Sequence, residues 1–426
     1  MRKIKQMTEI KKNNLVKAFK ALRPIPEKVL EVIAPPYDVI NSDEARILAA
    51  HKPLSFLHIS RPEIDLPVGT SYHNPEVYQQ GLKNFKNLID KEILIEEDID
   101  SIYVYEISLG THQQTGIGCI ASLDAYEHNL IKKHEHTTPK KEQDRCNNIT
   151  TLNAQTGPVL LAHKKNSDLK DMLSEITIHK LPLYDVEAND GSRHKIWRLS
   201  NTDTLQSILA LLNDMDALFI ADGHHRSAAA ALVRKNKKAA NNNHNGTENY
   251  NYVLVVAFPE DEMNILDYNR VVKSANGHSK KSLLQAADQF FDIETMASTF
   301  KSSQPNQFGM YFQGTWYKLE LKPTHKKAID PVKSLDVSLL HDYLLEPILG
   351  IQDERIDQRI DFVGGIRGIE ALQERVDSGE MAIGFSLYPT PMNALISVAE
   401  ANQIMPPKST WFEPKLLDGL LTHLIG

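Results

Sequence analysis

The stretch LFIADGHHRSAAAALVRK, residues 218–235, sets an apolar run, an Asp-Gly break, two histidines and an arginine directly ahead of an alanine-rich segment. ALFIA reads as a short buried strand, and Gly223 lets the backbone turn tightly into a helix beginning near His225. The unpaired amides of a helix start carry partial positive charge and suit a phosphate. His224, His225 and Arg226 add donors, and a guanidinium can grip two phosphate oxygens at once. Asp222 is the acidic member, suited to capping the helix, holding a magnesium ion or orienting a hydroxyl nucleophile. The plain alternative is a cap beside a surface ion pair. Two adjacent histidines at the end of an apolar strand weigh against it, because strand ends are where sites gather. Zinc is a weaker reading of the histidine pair, since chain neighbours rarely face one ion and no nearby HExxH or cysteine pair completes a set.

Two further stretches carry chemistry. In IKKHEHTTPKKEQDR, residues 131–145, Glu135 is flanked by Lys133, His134 and His136, a basic setting that keeps a carboxylate ionised and fit to act as a general base. Its alternative is a solvated loop. In MPPKSTWFEPKLL, residues 405–417, Pro406 and Pro407 stiffen the approach to Lys408, Ser409 and Thr410, which suit an anion. The alternative there is a tail anchored by Trp411 and Phe412. Arg61, His134 and Arg270 stand as candidate substrate-binding residues. With no G-x-x-x-x-G-K-[ST] and no H-R-D signature, any phosphate chemistry here uses neither the P-loop nor the protein-kinase scaffold.

These residues need a framework. At 426 residues the chain has room for two or three domains. Lys plus Arg is 48 against 55 for Asp plus Glu, a net charge of -7 that argues against a nucleic-acid coat or an anionic-membrane binder. Cys119 and Cys146 are the only cysteines, too few for a disulfide scaffold. No apolar run reaches membrane length and no signal-peptide core follows the charged start, so the expected location is the cytoplasm.

Residues 1–14 read as a disordered basic tail. SFLHIS at 55–60 reads as a buried strand delivering Arg61. SIYVYEISL and TGIGCIASLDAY read as a hairpin around GTHQQ, so the match of Gly116, Gly118 and Ala121 to the dinucleotide fingerprint is discounted: that fingerprint must open a helix. YDVEANDGSRHKIWRL is a second hairpin, with His194 as a strand-surface residue. KNKKAANNNHNGTE, residues 235–248, reads as a mobile polar loop, and NYVLVVAFPE as a buried strand. TWYKLEL is strand-like, SLDVSLLHDYLLEPIL helical, and IDFVGGIRGIEALQERVDSGEMAIGFSLYP reads strand, turn, helix, strand. The expected class is α+β, mixed sheets with helices.

Taken in order, APPYDVI, LHISRPEID, IKKHEHTTPKKEQDR, FIADGHHRSAAA, NRVV and MPPKSTWFEPKLL resemble the successive motifs of the domain-of-unknown-function 1015 family, from about Phe19 to the C-terminus. DGHHR followed by a helix is more distantly similar to the phosphate-binding motif of the ParB/sulfiredoxin superfamily, which includes free serine kinases. In those kinases a K-P-H-E-type segment precedes it and supplies the catalytic glutamate; KKHE at 132–135 has that order, with Lys133 in place of the proline and a longer spacing. The resemblance implies Glu135 as base, and Asp222, His224, His225 and Arg226 around the phosphates. It also implies a central ParB/sulfiredoxin-like nucleotide-binding core over 126–272, between an N-terminal α/β part at 15–125 and a C-terminal α/β part at 273–426 that returns to the site. The function so implied is a phosphotransferase using ATP or ADP and Mg2+, with Asp222 as catalytic and metal residue. Gly223 and Lys408–Thr410 join the phosphate contacts, and free L-serine is the acceptor. The alternative is a non-catalytic nucleotide-binding regulator. Nucleic acid and membrane are not expected partners, and homodimerisation is left open.

Overall fold

The computed structural model describes residues 15–200, 202–326 and 330–426. The basic tail expected over residues 1–14 lies outside them. Helices and sheets are mixed throughout, an α+β architecture. No helix among the described residues is long and apolar enough to cross a membrane. The chain divides into two compact units: Met1–Lys133, Thr137–Met263 and Pro414–Gly426 form the first, His134–His136 and Asn264–Glu413 the second.

The first unit is built on a sheet with nine strands among the described residues. Across it run Ile131–Lys132, Leu218–Asp222, Val159–His163, Tyr252–Pro259, His112–Ser122, Ser101–Leu109, Arg193–Ser200 and Tyr184–Glu187, with Val16–Lys17 pairing off His112–Ser122. The two expected hairpins form, Ser101–Leu109 with His112–Ser122 and Tyr184–Glu187 with Arg193–Ser200. Leu218–Asp222 runs antiparallel to Val159–His163, which in turn runs parallel to Tyr252–Pro259. The central strands are nearly continuous Val, Ile, Leu and Ala, as strands buried on both faces require. A smaller sheet of Leu94–Glu96, Ala21–Pro24, Thr422–Leu424 and Ala154–Gln155 ties the end of the chain back into this unit.

Gly116 shows why the dinucleotide fingerprint is false here. It sits inside the His112–Ser122 strand, where a Cβ would run into the Ala257 carbonyl and the Phe258 ring of the neighbouring strand. Its role is close strand packing, and no helix opens at it.

Three local expectations are corrected. SFLHIS is not a strand: Leu57–Ser60 is a helical turn with Leu57 and Ile59 buried, and Pro62 opens the next turn. A short apolar run carries no period long enough to separate the two. His194 is on its expected strand but fully buried, bonded to Tyr105 Oη at 2.9 Å and Ser192 Oγ at 2.8 Å, and burial pushes its pKa down to about 4. The helix His224–Ala240 takes up the first half of the polar segment 235–248. Lys and Ala favour helix, so the loop begins only at Asn241.

The second unit centres on a six-stranded sheet, all of whose neighbours are antiparallel. Thr315–Leu321 and the sequence strand Ile360–Gly364, helix Glu370–Asp377, strand Ile383–Leu387 appear as read. The Asp336–Leu340 helix runs on into a π-helical turn at His341–Leu345.

Candidate functional site

In the first unit the Leu218–Asp222 strand is buried until its last residue. Its register against Val159–His163 shifts between Ile220 and Asp222, a local irregularity that re-aims the strand end. Gly223 then takes φ +98°, and the 17-residue helix His224–Ala240 begins at once. A side chain on Gly223 would meet the Arg226 guanidinium and the Val159 backbone at 3.2–3.3 Å. Only glycine gives both the left-handed turn and the room. Asp222 Oδ1 accepts from the Gly223 amide at 2.8 Å rather than reaching into the first helical turn, and no side chain caps this helix.

Arg226, 8% exposed, is the centre of the cluster. Its Nη1 donates to the Pro158 carbonyl. Nη2 lies 3.5 Å from Asp222 and 3.6 Å from Asp38, ion-pair rather than hydrogen-bond distances. Its buried Nε has no hydrogen-bond partner among the described residues. Burial opposes its charge, but Asp38, Asp222 and Tyr37 hold it firmly protonated. Desolvation pushes Asp222 up, yet Lys415 at 3.2 Å and Arg226 keep it well below the usual carboxylate range. Asp418 is almost fully buried, with Oδ2 unpartnered, and burial pushes it up to about 7 against the pull of Arg226, with Asp38 adding to the rise. Arg145 stacks over the Tyr37 ring at 4.1 Å and pairs with Asp144 at 2.6 Å. Three cations and several carboxylates from widely separated stretches thus surround one strand-to-helix turn. Such a set can hold a multiply charged anion on the cations and helix amides, and a divalent cation on the carboxylates.

The other sequence candidates fall as follows. His224 is buried at the helix start, and His225 Nε2 accepts from the Thr138 amide at 3.2 Å. Arg61 donates to Ser42 Oγ at 3.0 Å and the Tyr37 carbonyl at 3.3 Å, which buttresses the segment carrying Asp38, while its buried Nε lies 2.9 Å from Glu63 as an ion pair without a hydrogen bond. His134, Glu135, Arg270 and Lys408–Thr410 belong to the second unit. There the His134 carbonyl accepts from the Met405 amide at 2.8 Å, and Glu135 is half-buried. Arg270 is fully buried, donating to the carbonyls of Tyr268 at 2.5 Å, Lys408 at 3.1 Å and Pro407 at 3.2 Å, with Glu354 at 3.4 Å. Lys408 is exposed with φ +57°, Ser409 Oγ donates to the Pro406 carbonyl at 2.7 Å, and Thr410 is half-buried. The structure therefore brings Arg270, Lys408 and Ser409 together in one unit, and Asp222–Arg226 with Arg61's neighbour Tyr37 in the other.

Sequence reasoning did not single out Tyr37, Asp38, Arg145, Lys415 or Asp418. For four of them a signal was present: Tyr37 and Asp38 stand in APPYDVI, Arg145 ends IKKHEHTTPKKEQDR, and Lys415 lies in MPPKSTWFEPKLL, three of the six stretches that carry the resemblance.

The model of the family described as "Protein of unknown function (DUF1015)" matches residues 16–338, and the chain belongs to that family. No curated protein matches the sequence. Among solved structures, a free serine kinase in complex with AMP is 13% identical, covering 69% of this chain and 86% of its own, with a TM-score of 0.34. SbnI with a C-terminal truncation, from Staphylococcus aureus, is 12% identical over 70% of this chain and 84% of its own, with a TM-score of 0.37. A conserved hypothetical protein from Pyrococcus furiosus is 13% identical over 71% and 94%, with a TM-score of 0.33.

Proposed function

We propose that the chain is a nucleotide-dependent phosphotransferase acting on a small hydroxylated metabolite, with ATP or ADP as donor and free L-serine as acceptor. The observation that carries the reading is the turn at Gly223, where helix amides, Arg226 and Lys415 converge on one strand end with an unpartnered buried donor among them. Phosphoryl transfer asks little covalent chemistry of a protein. It asks for positioned positive charge around the transferred group and a base for the acceptor. In this reading Gly223–Arg226 hold the phosphates. Asp222 and Asp38 flank the arginine as the hard oxygen donors that Mg2+ takes, and Mg2+ bound with the phosphates supplies further charge neutralisation.

The base is Glu135, by its place in the KKHE segment ahead of DGHHR. The serine Oγ forms a bond to the terminal phosphorus as the bond from that phosphorus to the bridging oxygen breaks. The hydroxyl proton passes to the Glu135 carboxylate, and the shortened nucleotide leaves with the electron pair. Arg270, whose guanidinium is held by backbone carbonyls and Glu354, and Arg61, tied to Tyr37 and Ser42, act as supports.

The test is direct. The protein is incubated with ATP or ADP, magnesium and an amino-acid mixture, and O-phosphoserine is sought by mass spectrometry. Glu135→Gln keeps the shape and removes the base, so turnover should fall by about 10² to 10⁴ while nucleotide binding stays near that of the parent. Equal turnover in the variant assigns the base elsewhere. Nucleotide binding with no phosphorylated product from any small alcohol replaces the kinase by a nucleotide-binding regulator.

A further inference from the structure

The Val159–His163 strand meets a different environment at each end, both within the first unit. Its start adjoins the Arg226 site, because the Pro158 carbonyl receives the Arg226 guanidinium. Its end, His163, lines a cavity of about 340 Å³. At roughly 3.3 Å per residue, the four steps between them separate the two by about 13 Å, so the cavity is a place of its own.

Leu169, Leu173 and Pro259 give this cavity an aliphatic wall, and Asn166, Ser174 and Thr177 give it hydrogen-bonding side chains. Its charges are cancelled in place. Lys170 pairs with Glu262 at 3.1 Å, and the adjoining Lys165 pairs with Asp261 at 2.8 Å. Glu262 also accepts from the Thr115 amide at 3.0 Å.

His163 is 2% exposed, and its Nδ1 lies 2.9 Å from the Lys164 carbonyl. A carbonyl only accepts, so Nδ1 carries a proton; burial keeps the ring neutral, and Nε2 is therefore a lone-pair acceptor. No described group donates to it. A buried acceptor left unpaired is costly, and a ligand donor would remove that cost.

We propose that this cavity is a binding site for a small uncharged molecule that presents an N–H or O–H donor beside an acceptor, as an amide, lactam or diol does, on a compact apolar body. An ion has no unpaired counter-charge to meet there, and desolvating one without a partner is unfavourable. The assignment is independent of the phosphotransfer reading, since none of its residues belongs to that site.

Nicotinamide, a neutral carboxamide on a flat ring, is the probe, and nicotinate is its anionic match of nearly the same shape. The full chain is labelled with 15N at histidine, and the ring nitrogens are followed by NMR during titration. His163 Nε2 should shift saturably with nicotinamide, at least about tenfold more weakly with nicotinate, while the buried His194 ring stays put. Ser174→Trp, at a half-buried position, should fill the cavity and abolish the response, with Thr177→Phe as a second blocking variant if the first does not fold. No shift at His163 up to about 20 mM nicotinamide, an equal response to nicotinate, or a response that survives in a folded blocking variant overturns the proposal.

Discussion

Arg226 and Arg270 are both buried arginines, 8% and 0% exposed, the one just past a strand end and the other at the middle of a strand, and each sits in its own unit. Their partners differ in kind. Arg270 is saturated by three fixed backbone carbonyls and the buried Glu354, so its guanidinium staples the Pro407–Lys408 turn to the Tyr268–Val272 strand. Arg226 makes one carbonyl bond, stands 3.5–3.6 Å from two partly exposed carboxylates, and keeps a donor unspent. The electrostatics follow the partners. Burial lowers the pKa of Arg270, whereas for Arg226 the surrounding carboxylates outweigh burial and raise it. A buried arginine is a structural group when its donors end on carbonyls that cannot move. It is poised for an incoming anion when they end on carboxylates that an anion and its cation can displace.

That contrast is broken most readily at Arg270. Arg270→Ala leaves Glu354 buried beside His341 with its arginine gone, and removes the contacts that hold the 406–409 turn. Unfolding in urea should show a loss of about 3–5 kcal/mol, the range for removing one partner of a buried pair. A variant of parental stability that has lost ligand binding would make Arg270 a site residue and end the distinction.

The next effect is smaller and of another kind. Arg226→Ala should weaken nucleotide binding, measured by calorimetry, by roughly 1.5–3 kcal/mol, the worth of a charged hydrogen bond. Unchanged affinity in a folded variant would remove the Gly223 turn from consideration as a phosphate site.

The smallest effect sharpens the comparison through pH. Asp418, pushed up to about 7 from the ordinary 3.8, is protonated in the folded chain below neutrality. For stability the sign is that of a raised acid: its contribution is whole below about 4 and is lost as pH rises through 7. For binding, the same deprotonation adds a negative charge beside Arg226. Nucleotide affinity of the parent relative to Asp418→Asn should therefore be near unity at pH 6 and fall three- to tenfold by pH 8, about 1 kcal/mol. Taking the ratio at each pH cancels the titration of the ligand's own phosphates. A ratio that is flat across this range would place Asp418 outside the field of the bound anion.

The sequence by itself determined the local devices. Strand, Gly223 and helix follow from an apolar run, a residue free to take positive φ and an Ala-rich period, all within about twenty residues. The two hairpins follow from alternation around turn residues, and five of the six linear stretches that carry the family resemblance fall within the residues the family model matches. What depends on contact across the chain could not be read this way. LHIS is a helical turn because four residues with only Leu57 and Ile59 apolar carry no period that separates helix from strand, and the packing that buries both decided it. His194 became a core residue because Tyr105 and Ser192 were there to bond it. The company of Arg226 is the clearest case: Asp38, Arg145, Lys415 and Asp418 stand about 80 to 190 positions away in sequence, and only the packing of the first unit, which recruits the chain's last residues, brings them to one turn. Local sequence fixes backbone conformation because propensity and turn chemistry act over a few residues. The charge around a buried group is a sum over space, and that sum exists only once the chain has folded.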